Sequence, residues 1–245
     1  MSGKTVRSYR YRNITRPVAR AGLLLSAGLL FAGAFPTVVH AMPVNVGDAM
    51  TAATAYHDHG EYERDFTSVI QEASAWVRLR AAHVSKPALV LDIDETSLSN
   101  WPEMAANHFA YFRDGRCDSL PEGPCGVEAW EQSARAKAFP ATLALYTQAQ
   151  EHDVAVFFIT GRREREREET ARNLEEAGYH NWAGLVLRED GSHTPSASEY
   201  KSAARRAIEQ KGYHIIANIG DQLSDLAGGH AERGFLLPNP FYRIP

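Results

Sequence analysis

The run Ala88-Leu-Val-Leu-Asp-Ile-Asp-Glu-Thr96 constrains the fold more than any other stretch of the chain. Four apolar residues, Ala88 to Leu91, stop abruptly at two carboxylates, Asp92 and Asp94. A short, bounded apolar run reads as a fully buried strand. Residues i and i+2 of a strand share a face. Asp92 and Asp94 are therefore expected to leave one face together, at the carboxyl end, where open α/β sheets place their ligands. Two carboxylates held this close repel, and burying them without a partner is costly. A divalent cation is the simplest partner. By itself D-x-D also suits a solvated turn, a calcium loop or a sugar-transfer site, so the rest of the chain must decide.

Further strands alternate with helices. Val154–Ile159 runs into Thr160-Gly-Arg162, Gly184–Arg188 is a third strand, His214–Ile219 runs into Gly220-Asp-Gln-Leu-Ser-Asp225, and Gly234–Leu237 is a fifth. Between them fall helices from Pro140 to Gln150, Arg163 to Ala177 closed by Gly178, and Ser196 to Gln210 carrying Lys201. Proline suits a first helical position and glycine a C-terminal cap. The charge run in the second of these helices reads as a solvated face, and Arg162 is expected to pair with Glu166 at i,i+4, contact with a phosphate being the alternative. Strand–helix alternation means an α/β fold around a parallel sheet. Ahead of it, Val46–Ala82 reads as a helical hairpin, capped by Asp48 and broken at Gly60. His57-Asp-His59 there reads as a polar helix end, since no ligand-like spacing accompanies it.

The connection from Thr96 to the second strand far exceeds the dozen or so residues a crossover needs. Residues 97–139 are expected to form a cap-like insertion bearing Trp101, His108, Phe109, Tyr111, Phe112 and Trp130. These aromatics form the insertion's own core, or one or two of them face the site.

The first 41 residues have a different character. They hold six basic residues (Lys4, Arg7, Arg10, Arg12, Arg16, Arg20) and none of the 30 acidic ones. An apolar stretch, Ala21 to Phe35, and Val39-His-Ala41 follow, the pattern of a secretory signal cleaved after Ala41. The apolar stretch is short and glycine-rich against the roughly 20 apolar residues of a membrane span. An uncleaved anchor is the alternative, and no cysteine follows to carry a lipid. Contact with a membrane is then confined to export, to a periplasmic or secreted location. Residues 42–245 are expected to be a single domain, with 44% apolar content over the chain to supply a core. The overall charge of −4 gives no basis for a nucleic-acid partner, and self-association is left open. The only cysteines, Cys117 and Cys125, lie in a Gly/Pro-rich stretch. In an oxidising compartment they staple that loop; otherwise they are free thiols.

Taken in order, Asp92 and Asp94 end strand one, Thr160 ends strand two, Lys201 rides the helix after strand three, and Asp221 and Asp225 follow strand four. A parallel sheet gathers all these ends at one edge. The set suits phosphoryl transfer. A carboxylate is the nucleophile, a cation offsets anionic repulsion, and hydroxyl, amide and ammonium groups take the peripheral oxygens. A second carboxylic acid moves the proton.

The motifs Asp92-Ile-Asp-Glu-Thr96, Ile159-Thr-Gly-Arg162, Tyr200-Lys201, Ile219-Gly-Asp-Gln-Leu-Ser-Asp-Leu226 and Leu237-Pro-Asn-Pro-Phe-Tyr242 resemble those of the haloacid dehalogenase superfamily. They resemble most its D-x-D-E-T acid phosphatases, which include bacterial class C enzymes and plant vegetative storage proteins. The likeness spans Tyr62 to Pro245. It implies a three-layer sandwich with a central parallel sheet, a small cap after strand one and an N-terminal helical segment. It implies Asp92 as nucleophile and Asp94 as general acid and base, with the Asp94 main-chain carbonyl facing the metal. Thr160, the Gly161 amide and Lys201 would bind phosphate. Asp221 would bind Mg²⁺, and Asp225 would be a ligand or stand beside it. The resemblance implies a small phosphate monoester as substrate, with 5′-nucleotides a reasonable group given the aromatics. A phosphotransferase, or a storage or ester-binding protein, could use the same scaffold. A calcium module predicts D-x-D-x-D-G spacing, which is absent. Bacterial class C enzymes are commonly lipoproteins, a property the missing cysteine does not support here.

Overall fold

The structure is a computed structural model that describes residues 42–191 and 196–244. The export signal expected over residues 1–41 lies outside the described residues. Two helices come first, α1 (Val46–Asp58) and α2 (Glu61–Ala81). Asn45, not Asp48, caps α1, accepting the Gly47 amide at 2.9 Å. Asn45 precedes the first turn, where a side-chain oxygen reaches the unpaired amides, whereas Asp48 already lies inside it. Gly60 breaks the pair with φ +75°, a conformation that favours glycine.

Then follow β1 (Pro87–Leu91), β2 (Leu98–Ser99), α3 (Trp101–Ala106), α4 (Val127–Ser133), β3 (Lys137–Ala138), α5 (Pro140–Glu151) and β4 (Ala155–Arg163). After a 3-10 turn at Glu164–Glu166 come α6 (Arg167–Glu176), β5 (Gly184–Arg188), α7 (Ala197–Gln210), β6 (His214–Gly220), α8 (Leu223–Leu226) and β7 (Gly234–Leu236). Five strands form one parallel sheet in the order β5-β4-β1-β6-β7. β1 is central, with Leu91 level with Phe158 of β4 and Ile219 of β6.

Alternation along β1 sorts its side chains. Leu89 and Leu91 join Phe66, Ile70 and Val77 of α2 and Leu145 and Tyr146 of α5 on one face. Ala88 and Val90 join Ala204 and Ile208 of α7 on the other. A full Leu or Ile side chain removed from water contributes about 1.5–3 kcal/mol, so helices on both faces fix the register. The same alternation sends Asp92 toward the α7 side. Residues 97–139 leave and rejoin the sheet through antiparallel β2 and β3, with Leu98 opposite Ala138. A disulfide joins Cys117 to Cys125 in that insertion.

Two expectations need correction. Strand two runs on to Arg163, because β4 regains its pairing with β5 at Arg163 and Arg188 beyond an irregularity. Thr160-Gly-Arg162 therefore sits within the extended strand. The following helix starts late, because the Glu166 carboxylate turns back to accept the Arg163 amide at 2.7 Å. Its face is only partly solvated, since Glu166, Thr170, Asn173 and Leu174 are buried.

Candidate active site

The ends of β1, β4, β5 and β6 open into one cleft of about 650 Å³, lined among others by Asp92, Asp94, Gly161, Lys201, Asp221 and Asp225. Asp92 is the first residue past β1 and is buried. Its amide donates to the Ile219 carbonyl at 3.0 Å and its carbonyl accepts the Ser97 hydroxyl at 2.6 Å, which pins the backbone and leaves the carboxylate free to face the cleft. Lys201 reaches Asp92 Oδ1 at 2.5 Å and Asp225 Oδ1 at 2.6 Å. Lys201, Ala204, Arg205 and Ile208 are the buried residues of α7 at i, i+3, i+4 and i+7 spacing, so the lysine lies on the stripe that faces the sheet. It is not a surface lysine, and its neighbour Arg205 is buried too, donating to the backbone carbonyls of Asp225, Ala227 and Gly229 around α8.

Burial, and next the carboxylates of Asp225, Asp221 and Asp94, push the Asp92 carboxyl well up, while Lys201 pulls it down. Lys201 itself is raised: its two anionic neighbours outweigh its burial. Asp92, Asp221 and Asp225 each offer an oxygen within 4.8 Å of the others. Burial, and then Asp225, raise Asp221 to about 6. Its Oδ2 accepts from Gln222 at 2.6 Å and from Asn239 at 2.5 Å, whereas its buried Oδ1 has no partner. An orphaned carboxylate oxygen beside two more carboxylates fits a hard divalent cation, which prefers such oxygens. Asp225 is the most committed of the three. Its Oδ1 meets Lys201 and its Oδ2 accepts the Gln222 amide at 2.8 Å. Gly220 is required at the turn because a Cβ there would collide with the Asp225 side chain.

Asp94 follows different partners. Arg162 donates to Asp94 Oδ1 from Nη2 at 2.7 Å and from Nε at 3.1 Å, and Asn100 donates to the same oxygen at 2.9 Å. Burial opposes ionisation of Asp94, but Arg162 and Asn100 outweigh it and hold the carboxyl below its usual range. The expected Arg162–Glu166 pair does not form. Arg162 is buried, its second acidic neighbour is Glu131 of α4 at 3.8 Å, and Nη1 has no partner. The strand extension through residue 163 turns Arg162 inward, away from the helix geometry that an i,i+4 pair requires.

Thr160 is fully buried, with its hydroxyl 3.5 Å from Asp94 Oδ2 and accepting the Arg162 amide at 3.2 Å. Gly161 is exposed at the cleft, and a Cβ on it would meet nothing within 4 Å. Of the insertion's aromatics, Phe109, Tyr111 and Trp130 line the cleft. Trp130 also donates to Asn100 Oδ1 at 2.7 Å. Trp101 instead stacks on His57 with ring centroids 3.4 Å apart, so His57 serves packing. Roles for Asn100, Gln222 and Asn239 were not readable from strand patterns. The placement of Asn239 in the Pro238-Asn-Pro240 tail was the available signal.

Residues 36–245 match the family model described as HAD superfamily, subfamily IIIB (Acid phosphatase). The chain is 35% identical over 185 residues to Acid phosphatase 1 of Solanum lycopersicum, covering 75% of this chain and 69% of that protein. It is 36% identical over 196 residues to the Stem 28 kDa glycoprotein of Glycine max, covering 78% and 74%. Vegetative storage protein 1 of Arabidopsis thaliana is 31% identical over 187 residues, covering 76% and 66%. The class C acid phosphatase from Bacillus anthracis superposes with a TM-score of 0.65 over 81% of this chain and 86% of that one, at 22% identity, a likeness of fold.

Proposed function

Since this chain belongs to the haloacid dehalogenase superfamily, subfamily IIIB acid phosphatases, we propose that it hydrolyses phosphate monoesters through an aspartyl-phosphate formed on Asp92. The observation that carries this reading is the placement of Asp92 and Asp94 at the end of the central strand, the first against Lys201 and the second against Arg162.

The ester's phosphate enters between these two cations. Asp92 attacks phosphorus, forming an acyl phosphate as the ester P–O bond breaks. Asp94 gives a proton to the departing alkoxide. The same carboxylate then takes a proton from the water that attacks the acyl phosphate. The bond between Asp92 and phosphorus breaks, and inorganic phosphate leaves. Thr160, the Gly161 amide and Lys201 hold the peripheral oxygens, where transition-state charge is spread. The unpaired Nη1 of Arg162 is a further donor for them. Asp92, the Asp94 main-chain carbonyl and Asp221 would hold Mg²⁺, with Asp225 as a further ligand or standing beside it, held by Lys201 and the Gln222 amide. The cation when bound offsets the repulsion between an anionic nucleophile and an anionic ester.

Low-specificity hydrolysis is the first substrate reading, with 5′-nucleotides among the esters. The aromatic lining from Phe109, Tyr111 and Trp130 supports it, since such rings stack on organic groups. The insertion over residues 97–139 acts in this reading as a cap on one domain spanning 42–245. Residues 1–41 act as an export signal cleaved after Ala41. The Cys117–Cys125 disulfide supports export, because such bonds persist in oxidising compartments. Among the described residues no helix is long and apolar enough to cross a membrane.

The test is phosphate release from an aryl phosphate and from a 5′-nucleotide by purified residues 42–245, with Mg²⁺, with chelator and as Asp92→Asn. Release that needs the cation and falls by about 10⁴-fold or more in Asp92→Asn is expected for a lost nucleophile. Release that survives the substitution would mean another nucleophile. No release from folded protein would favour ester binding or storage.

A further inference from the structure

The C-terminal tail contributes a residue that the reaction above leaves unused. We propose that Asn239 is a positioning residue for the divalent cation, clamping one oxygen of Asp221 so that the other faces the ion. The proposal rests on the cation reading of the carboxylate cluster.

The tail is laid over the ligand end of β6. The Leu237 amide donates to the Gly220 carbonyl at 2.9 Å, which places the next residues directly above Asp221. Asn239 Nδ2 then donates to Asp221 Oδ2 at 2.5 Å. The orientation of that amide is settled by its other end. Asn239 Oδ1 accepts the Phe241 amide at 2.9 Å and the Tyr242 amide at 3.3 Å, so oxygen faces the tail and nitrogen must face the carboxylate. Pro238 and Pro240 flank the residue. Each fixes its own φ, and Pro240 disfavours helical backbone at Asn239.

The other donor to Asp221 is governed by the same tail. Gln222 Nε2 donates to Asp221 Oδ2 at 2.6 Å, while its Oε1 accepts the Ile244 amide at 3.0 Å. Both clamps therefore act on Oδ2, and the buried Oδ1 is left without a partner. That asymmetry is what a cation ligand needs: one oxygen fixed, the other available, and no rotation of the carboxyl between them. Groups that orient ligands in this way typically change metal affinity by roughly 10- to 100-fold when replaced.

Two substitutions separate the amide donor from the turn. Asn239→Ser keeps a hydroxyl that accepts from the tail amides, as serine does in such turns, but is too short to reach Asp221. Asn239→Ala removes both. Mn²⁺ binding to the purified, metal-free protein would be followed by electron paramagnetic resonance without substrate, alongside thermal melting in chelator. The expected result is Mn²⁺ affinity lower by roughly 10- to 100-fold in both variants. Turnover should then recover as the cation is raised, with KM for the ester unchanged at saturating cation. Unchanged affinity in both variants overturns the proposal, and a lowered melting temperature with unchanged affinity would mark Asn239 as merely structural. Loss in the alanine variant alone assigns the effect to the turn and also overturns it. Failure of the unaltered protein to bind Mn²⁺ overturns the cation reading itself, an outcome distinct from the others.

Discussion

Replacing Lys201 by Met should unbalance the buried charge of the cleft. The ammonium contacts Asp92 at 2.5 Å and Asp225 at 2.6 Å, and all three side chains are at most 8% exposed. Without it, three carboxylates within 4.8 Å lose the lysine charge that two of them contact. Two like charges about 5 Å apart repel by roughly 3 kcal/mol at an effective dielectric of about 20. Removing one partner of a buried ion pair costs about 3–5 kcal/mol by direct measurement in other proteins, which agrees. That is a large part of the 5–15 kcal/mol typical of a domain. The deficit depends on pH with a definite sign. Asp92 already has a raised carboxyl in the folded protein, and loss of Lys201 raises it further. A carboxyl that holds its proton more tightly when folded destabilises the fold as pH rises above the unfolded value near 4. Urea unfolding in chelator should therefore show Lys201→Met weaker than the unaltered protein by roughly 3–5 kcal/mol near neutrality, and nearly equal to it below about pH 4. Added Mg²⁺ should stabilise the variant more than the parent, because it meets a larger uncompensated charge. A loss under about 1 kcal/mol near neutrality, with no dependence on pH, would refute the coupling. Lys201 would then be an incidental neighbour of Asp92.

Arg162→Gln should move the pH profile of turnover. Burial raises the Asp94 carboxyl, and Arg162 is the leading influence holding it down. Removing the guanidinium raises that pKa, so the protonated acid survives to higher pH and the falling limb of kcat shifts upward. A limb that stays in place would show that Asp94 is not the acid, or that Arg162 does not set it. Cys117→Ser with Cys125→Ser opens a loop with a sequence separation of 8. Chain entropy puts the loss at roughly 2.5 kcal/mol, readable as a lower melting temperature. Equal melting of the unreduced and substituted proteins would contradict it.

The alternation of apolar strands with helices, and the abrupt end of Ala88–Leu91 in Asp92 and Asp94, already determined an α/β sheet with its chemistry at one edge. Such patterns are local: periods of 2 and 3.6, and punctuation by Gly and Pro, survive in a one-dimensional reading. That Asp92 and Asp221 lie on one cleft also follows from order alone, because parallel strands all end on the same side. Partnership among the charges did not. Arg162 was expected to bind Glu166 along a helix, but a strand that continues past residue 160 turned it onto Asp94. Lys201 and Arg205 have the composition of a surface helix face, yet α7 docks that face on the sheet. Asn239 lies 18 residues from Asp221, and no short-range pattern records that the tail folds back over it. Side-chain electrostatics depend on separations of a few ångströms and on burial. Both are properties of the packed chain, so the sequence named the candidate groups and only the tertiary structure decided which cation faces which carboxylate.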